Sequence, residues 1–179
     1  MEYLAWLYLA LPCFVANSLP VIFQRLKWLP NLNKPLDGGA KIFNQRLFGD
    51  HKTIRGLLVG VVGAMIVGFI QYLFSYYHFI VIYELPGLSQ FLFFSFLAGL
   101  GALAGDAVES LVKRQLKIAS GDSLIIFDQL DYVIGFLLLT SLIISWPLKA
   151  VLFLLLFSLI AHPISNWLSY VFKIKKTYW

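Results

Sequence analysis

GLGALAGDAVESLVKRQLKIASGDSLIIFDQLDYVIG, Gly99 to Gly135, holds five of the chain's nine acidic residues and three of its fourteen basic ones, between runs that are otherwise nearly pure hydrocarbon. A polar connector between two such runs joins two membrane helices and gathers the chemistry at their junction. On a helix turning about 100° per residue, Asp106, Ser110, Lys113 and Lys117 share one face, with Glu109 and Arg114 on its flanks. Asp128 and Asp131 stand three residues apart. A second helix beginning near Asp128 therefore points both carboxylates the same way, as a divalent cation with a phosphate ligand requires.

Carboxylates at the ends of apolar helices cost several kcal/mol if left unpaired, and a cation or a basic partner removes that cost. Two readings follow. Asp106 pairs with Lys113 or Arg114 as a structural knot while Asp128 caps the next helix, or Asp106, Asp128 and Asp131 hold a metal and its phosphate. Magnesium suits the second, because it takes few carboxylates and completes its octahedron with phosphate oxygens and water.

Composition explains why this junction lies at a membrane. The 179 residues are 60% hydrophobic and 13% charged, with a mean hydropathy of +0.80, more apolar surface than a soluble domain of this size can bury. The expected class is an all-α, polytopic integral membrane protein, a single domain over residues 1–179 with five transmembrane helices. The lone cysteine, Cys13, offers neither a disulfide framework nor zinc-ligand spacing and reads as packing. The first apolar run lacks a basic n-region and a cleavage site, and reads as a retained span. The net charge of +5 lies in short loops beside apolar segments, which suits orientation and anionic phosphates; no nucleic-acid motif is present.

Five runs approach the roughly 20 helical residues needed to cross a hydrocarbon core of about 30 Å. They are Tyr3 to Phe23, Gly56 to Tyr77, Leu88 to Ala104, Tyr132 to Trp146 and Leu148 to Phe172, with the third continuing into the charged stretch. The first loop, the connector between spans 3 and 4, and the tail carry thirteen of the fourteen basic residues. An odd number of spans puts all three on one side, which the positive-inside rule makes cytoplasmic, with the N-terminus outside and the C-terminus cytoplasmic at the cell membrane. Lys149, Glu2, His78 and Glu84 are left on the other side.

The first cytoplasmic loop is long, and long loops are seldom idle. It ends in GDHKTIRG, Gly49 to Gly56, where Lys52 and Arg55 offer cationic donors, Thr53 a hydroxyl, and a starting helix its free amides. The GxxxxGK[ST] spacing of a Walker A loop is missing. Along span 5, His162, Ser165, Asn166 and Ser169 make a polar stripe that reads as interhelical hydrogen bonding, as do Asn17 and Ser18 in span 1. The run Phe91 to Phe96 reads as lipid-facing or core packing.

SLVKR at Ser110 to Arg114, followed by DQLD at Asp128 to Asp131, resembles the membrane CTP transferases that make CDP-activated lipids. The phosphatidate cytidylyltransferase signature has Arg where Gln129 stands, and a histidine-glycine-glycine element absent here. Both departures are shared with the small archaeal-type branch, the CDP-archaeol synthases, which the chain resembles along nearly its whole length. The matching pieces are Asn17 with Pro20, PLDGG around Asp37, GDHKTIRG, Gly105-Asp106, SLVKR, Gly121-Asp122, DQLD, HPISN around His162 and the terminal KKTYW. His51 departs from the common Gly.

The resemblance implies a magnesium-dependent nucleotidyltransferase that moves CMP from CTP to 2,3-bis-O-(geranylgeranyl)-sn-glycerol 1-phosphate, giving CDP-archaeol and diphosphate. Asp106 and Asp128 would hold metal with Asp131 in support; Lys113 and Arg114 would hold phosphates, as would Ser110 beside them. Asn17, Asp37, Arg46 and the Lys52, Thr53, Arg55 cluster would help bind CTP. Phosphatidate is an alternative lipid, giving a CDP-diacylglycerol synthase. A small transporter would instead spread its charges through the bilayer depth, and a noncatalytic assembly factor would not need so many phosphate-type groups. Homo-oligomerisation is left open.

Overall fold

The structure is a computed structural model that describes residues 2–80, 85–118, 122, 124 and 126–173. Glu84, Gly121, Lys175, Lys176 and the rest of the terminal KKTYW lie outside the described residues. With no water in the bilayer core, the apolar runs satisfy their backbone groups only as helices. These are α1 (Glu2–Leu26), α2 (Ile54–Tyr76), α3 (Leu88–Gln115), α4 (Phe127–Thr140) and α5 (Leu148–Val171). The first loop carries a 3-10 turn at Pro30–Leu32 and a small hairpin, β1 (Lys41–Ile42) with β2 (Gln45–Arg46).

The protein is an all-α, multi-pass membrane protein whose helices alternate in direction. At one end Lys149 of α5 meets Glu2 of α1 at 3.3 Å; at the other, Lys113 of α3 meets Asp128 of α4 at 2.8 Å. Four helices are long and apolar enough to cross a membrane. The fourth differs from expectation. It runs Phe127–Thr140, not Tyr132 to Trp146, and its 14 residues rise only about 21 Å. The physical reason lies at its far end. Thr140 and Ser141 turn their hydroxyls back to the carbonyls of Phe136 and Leu138, and the Trp146 indole closes the turn on Thr140 Oγ1 at 3.0 Å and packs edge-on against Phe136. The residues after Thr140 make a folded-back corner that hydropathy reads as helix.

The core is built from small and aromatic side chains: Ala10, Cys13 and Ala16 of α1, Phe94, Ala98 and Ala102 of α3, and Val133 and Phe136 of α4. Cys13 is buried there, as read, with its thiol against the Tyr132 carbonyl. Phe91 and Phe94 face the core while Phe93 and Phe96 face outward, dividing the phenylalanine run by helical period. The α3–α4 contact is a close one, made backbone to backbone. A Cβ on Gly101 would sit 2.4 Å from the Gly135 carbonyl oxygen, and one on Gly105 2.1 Å from that of Asp131. Backbone lies directly on backbone, the small-residue packing that membrane helices use in place of hydrophobic attraction.

Candidate functional site

The α3–α4 contact places Asp106 and Glu109, one turn apart on α3, opposite Asp131 of α4. Their carboxylate oxygens all lie within 4.8 Å of one another, and these three residues could hold a metal ion. Lysines flank them on both sides. Lys52 Nζ reaches Asp106 at 2.5 Å, and Lys113 Nζ bridges Glu109 at 2.6 Å and Asp128 at 2.8 Å. Ser110 is buried on the same side of α3. Arg114 stands beside Lys113 and is also engaged.

Asp128, expected among the metal ligands, falls outside the trio. Its carboxylate accepts from Lys113 and from the Leu124 amide at 3.0 Å, so it both steadies the lysine and pins the turn that starts α4. Glu109 takes the place in the cluster that the sequence reading left on the flank. The signal was present in its three-residue step from Asp106, which is as good a neighbour spacing as four. Lys117 leaves the shared face because α3 ends at Gln115 and Lys117 turns into the left-handed region with φ of 60°, exposed.

Lys52 arrives from 54 residues away because the first loop is closed at its base. Pro35 and Thr53 form an antiparallel bridge, with Leu36 N donating to Lys52 O at 2.8 Å and Ile54 N to Lys34 O at 2.9 Å. Thr53, expected to touch nucleotide, caps α2 by accepting the Gly56 amide at 3.1 Å. Arg55 is buried and turned away from the carboxylates, donating to Trp28 O and Asn33 Oδ1, both at 2.9 Å. A guanidinium holding two loop acceptors braces the loop.

Asp37 and Arg46 are brought together within the loop. The guanidinium donates to Asp37 at 2.7 and 3.2 Å, and the amides of Gly39, Phe48 and Gly49 complete the shell. The Arg46 guanidinium, with those amides, holds the Asp37 carboxyl well below the ordinary carboxylate range. A carboxyl lowered on folding adds stability that is present above its unfolded value, about 4, and is lost as pH falls through the folded value. Protection of the Gly39, Phe48 and Gly49 amides against hydrogen exchange, relative to the free-peptide rate at each pH, should therefore hold down to about pH 4 and fall only in stronger acid. Asp37→Asn should make exchange fast at neutral pH; unchanged protection would remove this knot as the loop's fastener.

Asn17 lies elsewhere, with Ser18, His162 and Ser165 along a cleft between α1 and α5. The His162 ring is 5.8 Å from that of Tyr132, the residue after Asp131. The polar stripe on α5 thus faces this cleft at least in part.

A family profile described as CarS-like, CDP-archaeol synthase, matches residues 2–179. The chain is 37% identical to the CDP-archaeol synthase of Thermofilum pendens over 94% of its own length and 78% of the relative's. It is 34% identical to that of Methanopyrus kandleri, over 97% and 91%. A solved structure described as an intramembrane enzyme for archaeal membrane lipids biosynthesis superposes with a TM-score of 0.71 at 31% identity, covering 89% of this chain and 90% of that one. A match over essentially every residue, in sequence and in helix arrangement, makes the chain a membrane enzyme of the CDP-archaeol synthase family.

Proposed function

We propose that the protein transfers CMP from CTP to the phosphate of 2,3-bis-O-(geranylgeranyl)-sn-glycerol 1-phosphate, releasing diphosphate and leaving CDP-archaeol in the membrane. The observation that carries this reading is the convergence of Asp106 and Glu109 of α3 with Asp131 of α4 between Lys52 and Lys113. Four carboxyl groups, counting Asp128, meet two ammonium groups there, an excess of acidic over basic side chains. That excess and an all-oxygen donor set suit magnesium, with Asp106, Glu109 and Asp131 as its holders. When bound, the ion would neutralise charge developing on the triphosphate.

The protein's own groups do the rest. A lipid phosphate oxygen attacks the α-phosphorus of CTP, the bond to the bridging oxygen breaks, and the electron pair leaves with diphosphate. The nucleophile is already an anion, so no base is needed. Lys52 and Lys113, each able to exchange a carboxylate for a phosphate oxygen, draw two anions together and lower the cost of aligning them. Arg114 extends this cationic rim. Arg55, Thr53 and the Asp37–Arg46 pair act one step back, by fixing the loop that presents Lys52. The site opens on the cytoplasmic face, where CTP is found and where the basic loops belong, with the N-terminus outside.

Purified protein in vesicles should release diphosphate from CTP only when lipid phosphate and magnesium are both supplied. The ether lipid should be the better substrate; equal rates on phosphatidate would identify a broader CDP-lipid synthase, and no release with either would refute the reading.

A further inference from the structure

The helices α1 and α5 touch midway through the Phe14 and Phe157 rings, with centroids 5.9 Å apart, and most closely at the end away from the carboxylates. There Tyr3, Trp6 and Phe153 pack ring on ring, with centroids 4.8 to 6.0 Å apart, beneath the Glu2–Lys149 pair. Toward the other end they part. The cleft between them has a volume of about 510 Å³ and is walled by Leu7, Leu11 and Phe14 of α1 and by Phe157 and Ala161 of α5, with Tyr132 of α4 behind. Its character changes along its length. Apart from the Tyr8 phenol, apolar side chains line it until Asn17, Ser18, His162 and Ser165 gather at the mouth, level with Tyr132, the residue after Asp131.

An apolar slot that opens sideways, is stoppered at one end and becomes polar next to a phosphate-handling site fits an amphiphile lying along the membrane normal. From Asn17 to Leu4, which also lines it, the slot runs thirteen residues, about 20 Å at the helical rise. That is enough for one chain of geranylgeranyl length. We infer that one isoprenoid chain of the lipid substrate lies in the α1–α5 cleft with its glycerol ether oxygens at Asn17, His162 and Ser165, and that the Tyr3–Trp6–Phe153 stopper limits chain length. This rests on the lipid-phosphate reading above and adds where the lipid sits and what measures it.

Two experiments test it. A digeranylgeranylglyceryl phosphate with a diazirine at one chain end, photolysed with the protein in diphytanoylphosphatidylcholine vesicles, should label residues 4–11 of α1 and 153–157 of α5. Unmodified lipid phosphate should compete that label away. Uncompeted labelling centred on the outward Leu58, Val62 and Ile66 of α2 would overturn the assignment. In steady-state assays Leu7→Trp, which fills the far half of the slot, should raise KM for the digeranylgeranyl lipid roughly tenfold while leaving KM for CTP and for a digeranyl analogue unchanged. Equal effects on both lipids, with CTP unchanged, would also overturn it. Labelling in the cleft by a protein that transfers no CMP would uphold the lipid site and sink the transferase reading instead.

Discussion

Asp131→Asn is expected to lower CMP transfer about 10³-fold, roughly 4 kcal/mol of lost transition-state stabilisation, and to raise the magnesium concentration needed for half-maximal rate. Asp131 is the one carboxylate that α4 contributes to the trio, so an amide there leaves two ligands on a single helix. Asp106→Asn and Glu109→Gln should fall in the same range. For Asp128→Asn the expected loss is smaller, about 10- to 100-fold, because that carboxylate steadies Lys113 without joining the trio. Rates measured across a magnesium titration check all four together. Wild-type activity in Asp131→Asn would remove that residue from the metal site, and an Asp128→Asn loss far exceeding that of Glu109→Gln would put the metal on Asp128 in place of Glu109.

Gly135→Leu should unmake the site without touching a charged residue. A Cβ at that position would lie 2.1 Å from the Gly101 carbonyl oxygen, so α3 and α4 must separate, and no flexible side chain stands there to yield. A backbone clash at the centre of a helix pair belongs with the severe end of single substitutions, about 4 kcal/mol, or roughly 10 °C in detergent melting temperature. Separation also carries Asp131 away from Asp106 and Glu109, so activity should vanish even at temperatures where the variant stays folded. Gly135→Ala, with the smallest side chain that still reaches Gly101, should lie between. A Gly135→Leu protein that melts and turns over normally would show that the close crossing is not what assembles the carboxylates.

Much of this was legible in the residues because hydrocarbon runs and one-sided charge leave few choices. Five helices, alternating direction and a polar junction at 106–131 follow from where apolar stretches stop and lysines begin. The motif stretch points to Asp106, Lys113, Asp128 and Asp131; Asp106 lies by Asp131 and Lys113 by Asp128, and Glu109 joins the two pairs. What spacing could not show was which partner each group takes. Arg55 reads as a phosphate donor by type, yet its guanidinium donates to Trp28 O and Asn33 Oδ1 within the loop. Glu109 was one turn from Asp106 and still looked peripheral, because the position of α4 decides which flank of α3 is inside. That position depends on Gly101, Gly105 and Gly135, residues whose information is the absence of a side chain. The end of α4 was misjudged for a related reason: the corner at Ser141 to Trp146 is closed by hydroxyl and indole hydrogen bonds that hydropathy does not register.

The bridge between Pro35 and Thr53 has one more consequence. It shuts the strap that carries Lys52 before any nucleotide arrives, so the ammonium is already aimed when a triphosphate drifts in. On the transferase reading proposed above, triphosphate capture starts from this closed strap, with Lys52 exchanging Asp106 for a phosphate oxygen, and added electrolyte should weaken the encounter. An enzyme built this way would draw its soluble substrate by field and its oily one by sideways diffusion, and the two would meet only at the carboxylates.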